Sequence, residues 1–510
     1  MASFFSFLTT RRFPTRARIS TFFEGPLTWA RFFFYILSGL ILVTAYVLIL
    51  QINKQFLVTV PATGGSISEG VIGSPRFISP IFATTDTDKA LSKLVYAGLM
   101  RETVDGKFVP ELAKDYTISP DGTSYTFTLK DKLAFQDKKP LTPEDILFTV
   151  GKLQDSTLNA QNAAYWQNIS AEEVNATTIA FHLPAPDKDF LSRLTFGILP
   201  QHVLENVPTE QLSGEKYSLH PIGAGPYKLE SYTQSNGIVT SLQFKKNKFY
   251  AGTKPYIEEL DIKVYGNQDS LLSALLNGNI DMTSALEPDT LAKHPLPKEF
   301  SVAKTPISKT VALYRSQSET ILSDPAFVNV LDAFIDKNDI LAKVDNGYGT
   351  PSTIQADKEA NNNDTLASLN SLGYTYTNGT LMHRGTPVGF AISVSNDPKS
   401  LLTAQLLATK LGELGMLVSI KAFDQGNFQD EITSGRSNVV LVRDETTALP
   451  VSYRPALTLY EQSLPYVVDS RVSGIAPDVL INPTLRYENI ENWYTNTDSV
   501  WKFLVRNSNR

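Results

Sequence analysis

Cysteine is absent from this chain of 510 residues. No disulfide, thiolate metal ligand or lipid-modified cysteine can therefore take part in its chemistry, and any domain outside the cell takes its stability from its cores. Histidine is nearly as scarce. The five (His182, His202, His220, His294 and His383) are scattered, with no H-E-x-x-H and no close pair, so no metal site is expected. Long like-charge runs are missing too. Lys and Arg number 46 against 52 Asp and Glu, a formal charge of -6, which argues against a nucleic-acid surface. No fixed-period repeat and no long low-complexity tract occurs, although "DKEANNNDT" is a polar loop.

One apolar run does stand out. From Phe32 to Leu50, "FFFYILSGLILVTAYVLIL" carries no charge and has about the 20 residues that a helix needs to cross hydrocarbon. It is long for the core of a cleaved signal peptide, its N-terminal flank is long, and no A-x-A site follows, which favours an uncleaved signal anchor. Arg11, Arg12, Arg16, Arg18 and Arg31 precede the run and only Lys54 lies close behind it. The positive-inside rule then predicts a cytoplasmic tail (1–31), a transmembrane anchor (32–50), a tether (51–65) and everything beyond it outside the cell. The pair in "TTRRFPTR" sits too far ahead of the apolar run for a twin-arginine signal and reads as topology arginines.

The chain beyond the tether is long enough for two or three domains. "YTISPDGTSYTFTLKDKLAFQ" predicts a hairpin, with Pro120-Asp121-Gly122 at the turn and Tyr125, Phe127 and Leu129 alternating with polar residues. In "PLTPEDILFTVGKLQ", Thr142 as cap, Pro143 in first position and Asp145 in an approximate capping box start a helix with a stripe of Ile146, Leu147, Val150 and Leu153. "SDPAFVNVLDAFIDKNDILAKV" and "KSLLTAQLLATKLGELG" are further helices; "LVSIKAF" and "NVVLV" are strands. Helix and buried strand in alternation mean α/β organisation.

Catalytic patterns fail on context. Ser301 and Lys304 match S-x-x-K in letters, but "FSVAKTPI" alternates like a strand, whereas acyl-transferase chemistry places the serine at a helix start, and no K-T-G follows. Gly223-Ala224-Gly225 lacks the third glycine and the helix of a dinucleotide loop. Glu144 and Asp145 have an ordinary first-turn role at a helix N-terminus.

Ordered phrases across most of residues 66–495 resemble the extracellular solute-binding proteins of family 5, the oligopeptide- and dipeptide-binding components of ABC importers. The matching pieces include "RFISPIFATTDTD", "LVYAGLMRETVDGKFVPELAKDYTISPDGTSYTFTLKDKLAFQDKKPLTPEDILFTV", "PIGAGPYKLESY", "KFYAGTKPYIEELDIKVY" and "LLNGNIDM". The resemblance implies a two-lobed α/β fold of the periplasmic-binding-protein type (class II, cluster C). A first lobe would comprise 66–88, 208–266 and 469–495, an inserted domain 89–207, a second lobe 267–468 and a C-terminal tail 496–510. Domain crossings are implied at Tyr265, Gly266, Asp469 and Ser470.

The resemblance also implies a ligand cleft lined by Ala83, Thr84 and Thr85 after the first strand and by Tyr165 and Trp166 of the insertion, with Ser395 and Asn396 as further candidates. Each has a plainer reading, as turn residues for the threonines and as local core for the aromatics. Relatives follow a strand such as "NVVLVRD" with an Asp- and Pro-rich loop and several helices before a strand such as "RPALTLY". This chain has only a short connector there. Arg443, Asp444 and Glu445 are candidates to replace the lost acid or to pair a carboxylate, against the alternative of a solvated strand end. Parallel neighbours need a crossover of about a dozen residues, so the two strands are expected to be antiparallel or separated, with a thinner cleft wall. Relatives also carry Phe-Asn near Tyr314-Arg315 and an Arg near Asn329, both lost here.

The function implied is a membrane-anchored, non-enzymatic substrate-binding protein. It would capture peptides or other small solutes for ABC permease subunits, with no cofactor, metal or nucleic acid. A surface interaction or sensory protein that has lost transport is the alternative, with an acyl transferase a distant third.

Overall fold

The computed structural model describes residues 29–103, 105–158, 160–352, 362–443, 447, 449–475 and 483–502. These fall into two units, one built from the chain's two ends and one spanning Ala62–Asn496. In the first unit a single helix, α1 (Trp29–Phe56), holds the apolar run. Its segment Phe32–Ile49 has a mean hydropathy of 2.4 and no residue buried by protein, and at about 1.5 Å per residue it is long enough to cross a bilayer core. Strand Leu57–Ala62 follows and pairs with Asn496–Trp501, while Phe56 stacks on Trp501 with ring centroids 6.1 Å apart.

The second unit is organised by one mixed sheet of eleven strands. In chain order these are β1 (Ser66–Ile72), β2 (Tyr227–Ser235), β3 (Ile238–Lys246), β4 (Glu259–Tyr265), β5 (Met282–Thr283), β6 (Phe300–Arg315), β7 (Gly349–Pro351), β8 (Gly389–Ser395), β9 (Leu417–Phe423), β10 (Val439–Val442) and β11 (Arg454–Asp469). Across the sheet they run β9-β8-β10-β6-β11-β5-β1-β4-β3-β2, with β7 added on β11. The long antiparallel pair β6 and β11 joins two cores. Tyr466 and Val468 of β11 pack with Ile67, Leu242, Leu260 and Trp493. Leu457, Leu459 and Tyr460 pack instead with Phe327, Ile392, Leu407 and Leu441.

Between those halves the β6–β11 register slips: Pro306 faces Ser463, and the next partners are Thr310 and Glu461. The passage from one core to the other occurs at this irregularity. The residues expected at the crossings lie elsewhere. Tyr265 ends β4 and Gly266 follows it; Asp469 ends β11 opposite Phe300, and Ser470 follows. The second lobe was expected from residue 267, yet Leu271, Leu275 and Ile280 pack with Val467 and Ile72 on the side of β1. The reason is that β5 inserts between β1 and β11 and carries its flanking segments with it.

The C-terminal stretch is tied to the first core by a buried pair: the Tyr487 hydroxyl donates to the Glu69 carboxylate, and Arg486 Nε lies 3.3 Å from Glu69 Oε1. Gly223 and Gly225 also have a packing role. A Cβ on either would come within 3 Å of the Val95 backbone, and Gly225 N–H donates to Val95 O at 2.7 Å. Ser301 and Lys304 lie on β6, where positions three apart face opposite sides of the strand. Ser301 Oγ donates to Val468 O and Lys304 Nζ to Gly347 O.

The region between the two halves of the first core carries its own four-stranded antiparallel sheet, ordered 113–118, 124–129, 178–182 and 170–175. The expected hairpin is there, pairing Tyr116 with Phe127 and Ile118 with Tyr125. Phe127, Phe135, Phe181, Phe190 and Trp166 fill its core. Its helices begin as the sequence predicts: the Asp145 carboxylate accepts the Thr142 N–H at 2.9 Å, opening the helix Pro143–Gln154.

The short connector proves geometrically easy. β10 and β11 both run antiparallel to β6 and flank it, so they are parallel but separated by one strand. Val439 and Arg454 both face Arg315, and Val442 faces Ala312. The return therefore covers about 10 Å along the strand and about 10 Å across it. Residues 443–453 can reach roughly 35 Å, so no intervening helix is needed.

Candidate functional site

The turn after β1 is held by Ala83 N–H donating to Ser79 O at 3.0 Å. It leads to α2 (Asp86–Val95), which Thr85 caps by accepting the Asp88 N–H at 3.0 Å. The buried Asp88 carboxylate in turn takes the Arg76 and Phe77 N–H groups. With the helix start pinned in this way, Lys89, Ser92, Lys93 and Tyr96 fall on one face by their spacing of three and four residues.

That face lines a cavity of about 570 Å³, together with Ala83 and Thr84. The facing wall comes from the inserted region: Tyr165 and Trp166 at the end of α3 (Ala160–Trp166), then Arg193, Thr195 and Gly197. Gly197 permits the approach of the two walls, because a Cβ there would lie 2.4 Å from Tyr96 Cβ.

Tyr165 and Arg193 form a built corner. The guanidinium carbon of Arg193 lies 3.3 Å from the Tyr165 ring centroid, and Arg193 Nε lies 3.9 Å from Asp187 Oδ2. The Tyr165 hydroxyl donates to the Asp187 carboxylate. That hydrogen bond holds the carboxylate below its usual range, while burial, aided by the same bond, pushes the phenol up. Trp166 is buried against Phe190 and Tyr165.

Beneath this cavity lies a knot of acids. Lys93 pairs with Glu488 at 2.9 Å and Arg101 with Glu491 at 2.9 Å. Glu111 accepts the Tyr250 hydroxyl at 2.8 Å and the Gly98 N–H at 3.3 Å. Burial, and then the neighbouring Glu488, push the Glu111 carboxyl up to about 7.

The expected site residues thus divide. Ala83, Thr84, Tyr165 and Trp166 meet on one cavity, and Thr85 lies just outside it as the cap of α2. Ser395 and Asn396 lie apart from it at the end of β8, where Ser395 Oγ donates to Gln425 Oε1 at 3.1 Å and Asn396 N–H donates to Phe423 O.

Arg443 departs from the expected solvated strand end. Its side chain is only 6% exposed. It forks onto both Asp345 oxygens at 3.1 and 3.0 Å and donates to Thr403 Oγ1 at 3.1 Å and to the Tyr460 hydroxyl at 2.5 Å. Those partners engage both terminal nitrogens, and the burial rules out the solvated strand end. Burial pulls the guanidinium down, but Tyr460 and Asp345 outweigh it and hold it above its ordinary value. Asp444 and Glu445 lie outside the described residues.

Lys89, Lys93, Arg193, Thr195 and Gly197 were not singled out from the sequence. The helical spacing of Lys89 and Lys93 was visible, but only the docking of the inserted region turns that face into a wall.

Two cores joined by a pair of long strands, with a cavity where the first core meets an inserted subdomain, define a two-lobed solute-receptor fold. The chain belongs to the bacterial extracellular solute-binding proteins of family 5, whose description, "Bacterial extracellular solute-binding proteins, family 5 Middle", matches residues 107–454. It is similar to the oligopeptide-binding protein AppA of Bacillus subtilis, 24% identical over 293 residues, which is 57% of this chain and 53% of that protein. The chain thus spans about half the length of that curated relative. The fold is shared with the ABC transporter substrate-binding protein CtaP of Listeria monocytogenes (TM-score 0.65, 21% identity, 85% of this chain and 100% of that one). It is also shared with AppA crystallised with a nonapeptide (TM-score 0.57, 18% identity, 85% and 99%).

Proposed function

We propose that this chain is the solute-capturing component of an ABC-type importer, taking peptides into the cleft between its lobes and handing them to a membrane permease, without itself catalysing a reaction. The observation that carries the reading is convergence. Ala83 and Thr84, distant in sequence from Tyr165 and Trp166, share one cavity within the roughly 300–1,000 Å³ range of small-ligand sites. Membership of the family and the peptide-binding description of AppA support the ligand class.

The slip between Pro306 and Thr310 is the hinge in this reading, since a break in a two-strand ladder is where a rigid pair bends with least loss of hydrogen bonding. The apolar helix α1 anchors the chain, with the arginine-rich tail in the cytoplasm and the lobes outside. Tethering raises the receptor's concentration near its permease.

Native mass spectrometry of the full chain, purified in detergent, tests the proposal. A ladder of co-purified peptides released on gentle denaturation is the expected result. A folded chain that carries nothing and also ignores an added peptide pool overturns it.

A further inference from the structure

We infer that the cavity is an anion subsite, in which Lys89 and Arg193 hold a carboxylate of the captured solute; this rests on the solute-capture reading above. The charge pattern is the starting point. The chain as a whole is acidic, at -6, yet the cavity is lined by Lys89, Lys93 and Arg193 and, among the described residues, by no Asp or Glu.

The three cations are not equivalent. Lys93 is neutralised by Glu488 at 2.9 Å. Lys89 is exposed and has no ion pair among the described residues. Arg193 is held with its guanidinium carbon 3.3 Å from the Tyr165 ring centroid, and its acidic neighbour among the described residues, Asp187, stands at 3.9 Å and is already engaged by the Tyr165 hydroxyl and the Asp189 N–H. The Tyr165 hydroxyl takes one hydrogen bond from this guanidinium, and its remaining N–H groups stay available to other acceptors.

The insertion was expected from residue 89, but Leu91, Leu94 and Val95 of α2 pack in the first core, so Lys89 offers an exposed ammonium from the first-core side and Arg193 a guanidinium from the inserted region. A carboxylate fits that pair well, since it accepts two N–H bonds from the guanidinium and one more from the ammonium. An ammonium-bearing group in the same place would meet Lys89 and Arg193 with no carboxylate of the described lining to offset them. Two sources supply the anion: the C-terminal carboxylate of a peptide or an acidic side chain within it. Tyr165 and Trp166 beside the cations give the rest of the solute an apolar surface.

The test uses the full chain in detergent and four synthetic pentapeptide pools, by isothermal titration calorimetry. One pool has neutral side chains and a free C-terminus, one is neutral and amidated, one contains Asp or Glu and is amidated, and one contains Lys and is amidated. At least one carboxylate-bearing pool is expected to bind about tenfold or more tighter than the neutral amidated pool, with Lys-containing peptides weakest. The arm that gains identifies the source of the carboxylate.

Lys89→Gln and Arg193→Gln, both exposed positions, are each expected to weaken that pool about tenfold and to weaken the neutral amidated pool clearly less. Arg193→Lys should recover part of the loss. Equal binding of all four pools, or equal losses across pools in the variants, overturns the anion subsite and leaves peptide capture standing. Binding of no pool by a chain with an unchanged melting profile overturns both.

Discussion

Single side chains in this protein show how burial decides role. Arg443 sits at the mouth of a strand, where charge is ordinarily solvated, yet the structure closes Asp345, Thr403 and Tyr460 around it. Arg443→Ala removes the fork on the buried Asp345 carboxylate, leaving it Lys399 at 3.3 Å and the Tyr460 hydroxyl, and is expected to cost about 3 kcal/mol in urea unfolding. Tyr460→Phe removes one hydroxyl and should cost only about 1–2 kcal/mol. Glu111 makes the opposite case, a buried acid short of counter-charge. Its pKa rises from the ordinary 4.5 to about 7, so between those pH values the folded chain retains a proton that the unfolded chain has released. Its contribution to stability is therefore greatest at low pH and lost as pH climbs to about 7, staying flat above. Relative to the parent, Glu111→Gln is expected to gain melting temperature progressively from pH 4.5 to 7; an unchanged difference across that range would show the carboxyl titrates normally.

At the scale of elements, the cavity depends on how α2 starts and on how closely the insertion approaches it. Thr85 belongs to the first of these conditions. Thr85→Ala removes the cap on Asp88 N–H and should cost about 0.5–2 kcal/mol; a loss of ligand affinity much larger than that of stability would give Thr85 a direct ligand role instead. Gly197 belongs to the second. Gly197→Val forces a side chain against Tyr96 and Pro80, with an expected cost of about 1–3 kcal/mol and weakened capture of peptide pools, since the two walls must move apart. The β10–β11 connector is an element in which length was a poor guide. What governs it is strand order: β6 lies between the two strands, and the crossing is short because β11 begins level with the start of β10.

For the whole molecule, the proposal requires motion and anchorage. The absence of cysteine makes the motion easy to follow, because Gln167→Cys in the inserted region and Asn396→Cys beside β8 supply the only two thiols; both positions are exposed. Fluorescence energy transfer between dyes at these sites should rise when a bound peptide pool closes the lobes. A chain that binds peptide with no change in transfer would exclude hinge closure between those points. Anchorage by α1 is checked by alkaline carbonate extraction, in which the full chain should remain with the membrane pellet and retain its N-terminus. Recovery of a chain starting beyond residue 50 in the soluble fraction would instead mean cleavage.

Much of this could be read from the order of residues, because it rests on local rules. The apolar run predicts α1, turn chemistry at Pro120-Asp121-Gly122 predicts the hairpin, and Thr142-Pro143-Asp145 predicts a helix start. Each depends on neighbours within a few positions. The long order of matching phrases also pointed to the family and hence to two lobes. Tertiary structure alone decided the rest: that Arg443 is buried, that β5 carries the segments around it to the side of β1, that the strands change cores near Pro306, and that Lys89 faces the same cavity as Arg193. These facts depend on which surfaces meet across a hundred or more residues of chain. Charge and spacing within a segment carry no record of that meeting, since the same lysine is a solvated group on a free helix and a cavity wall once the insertion docks.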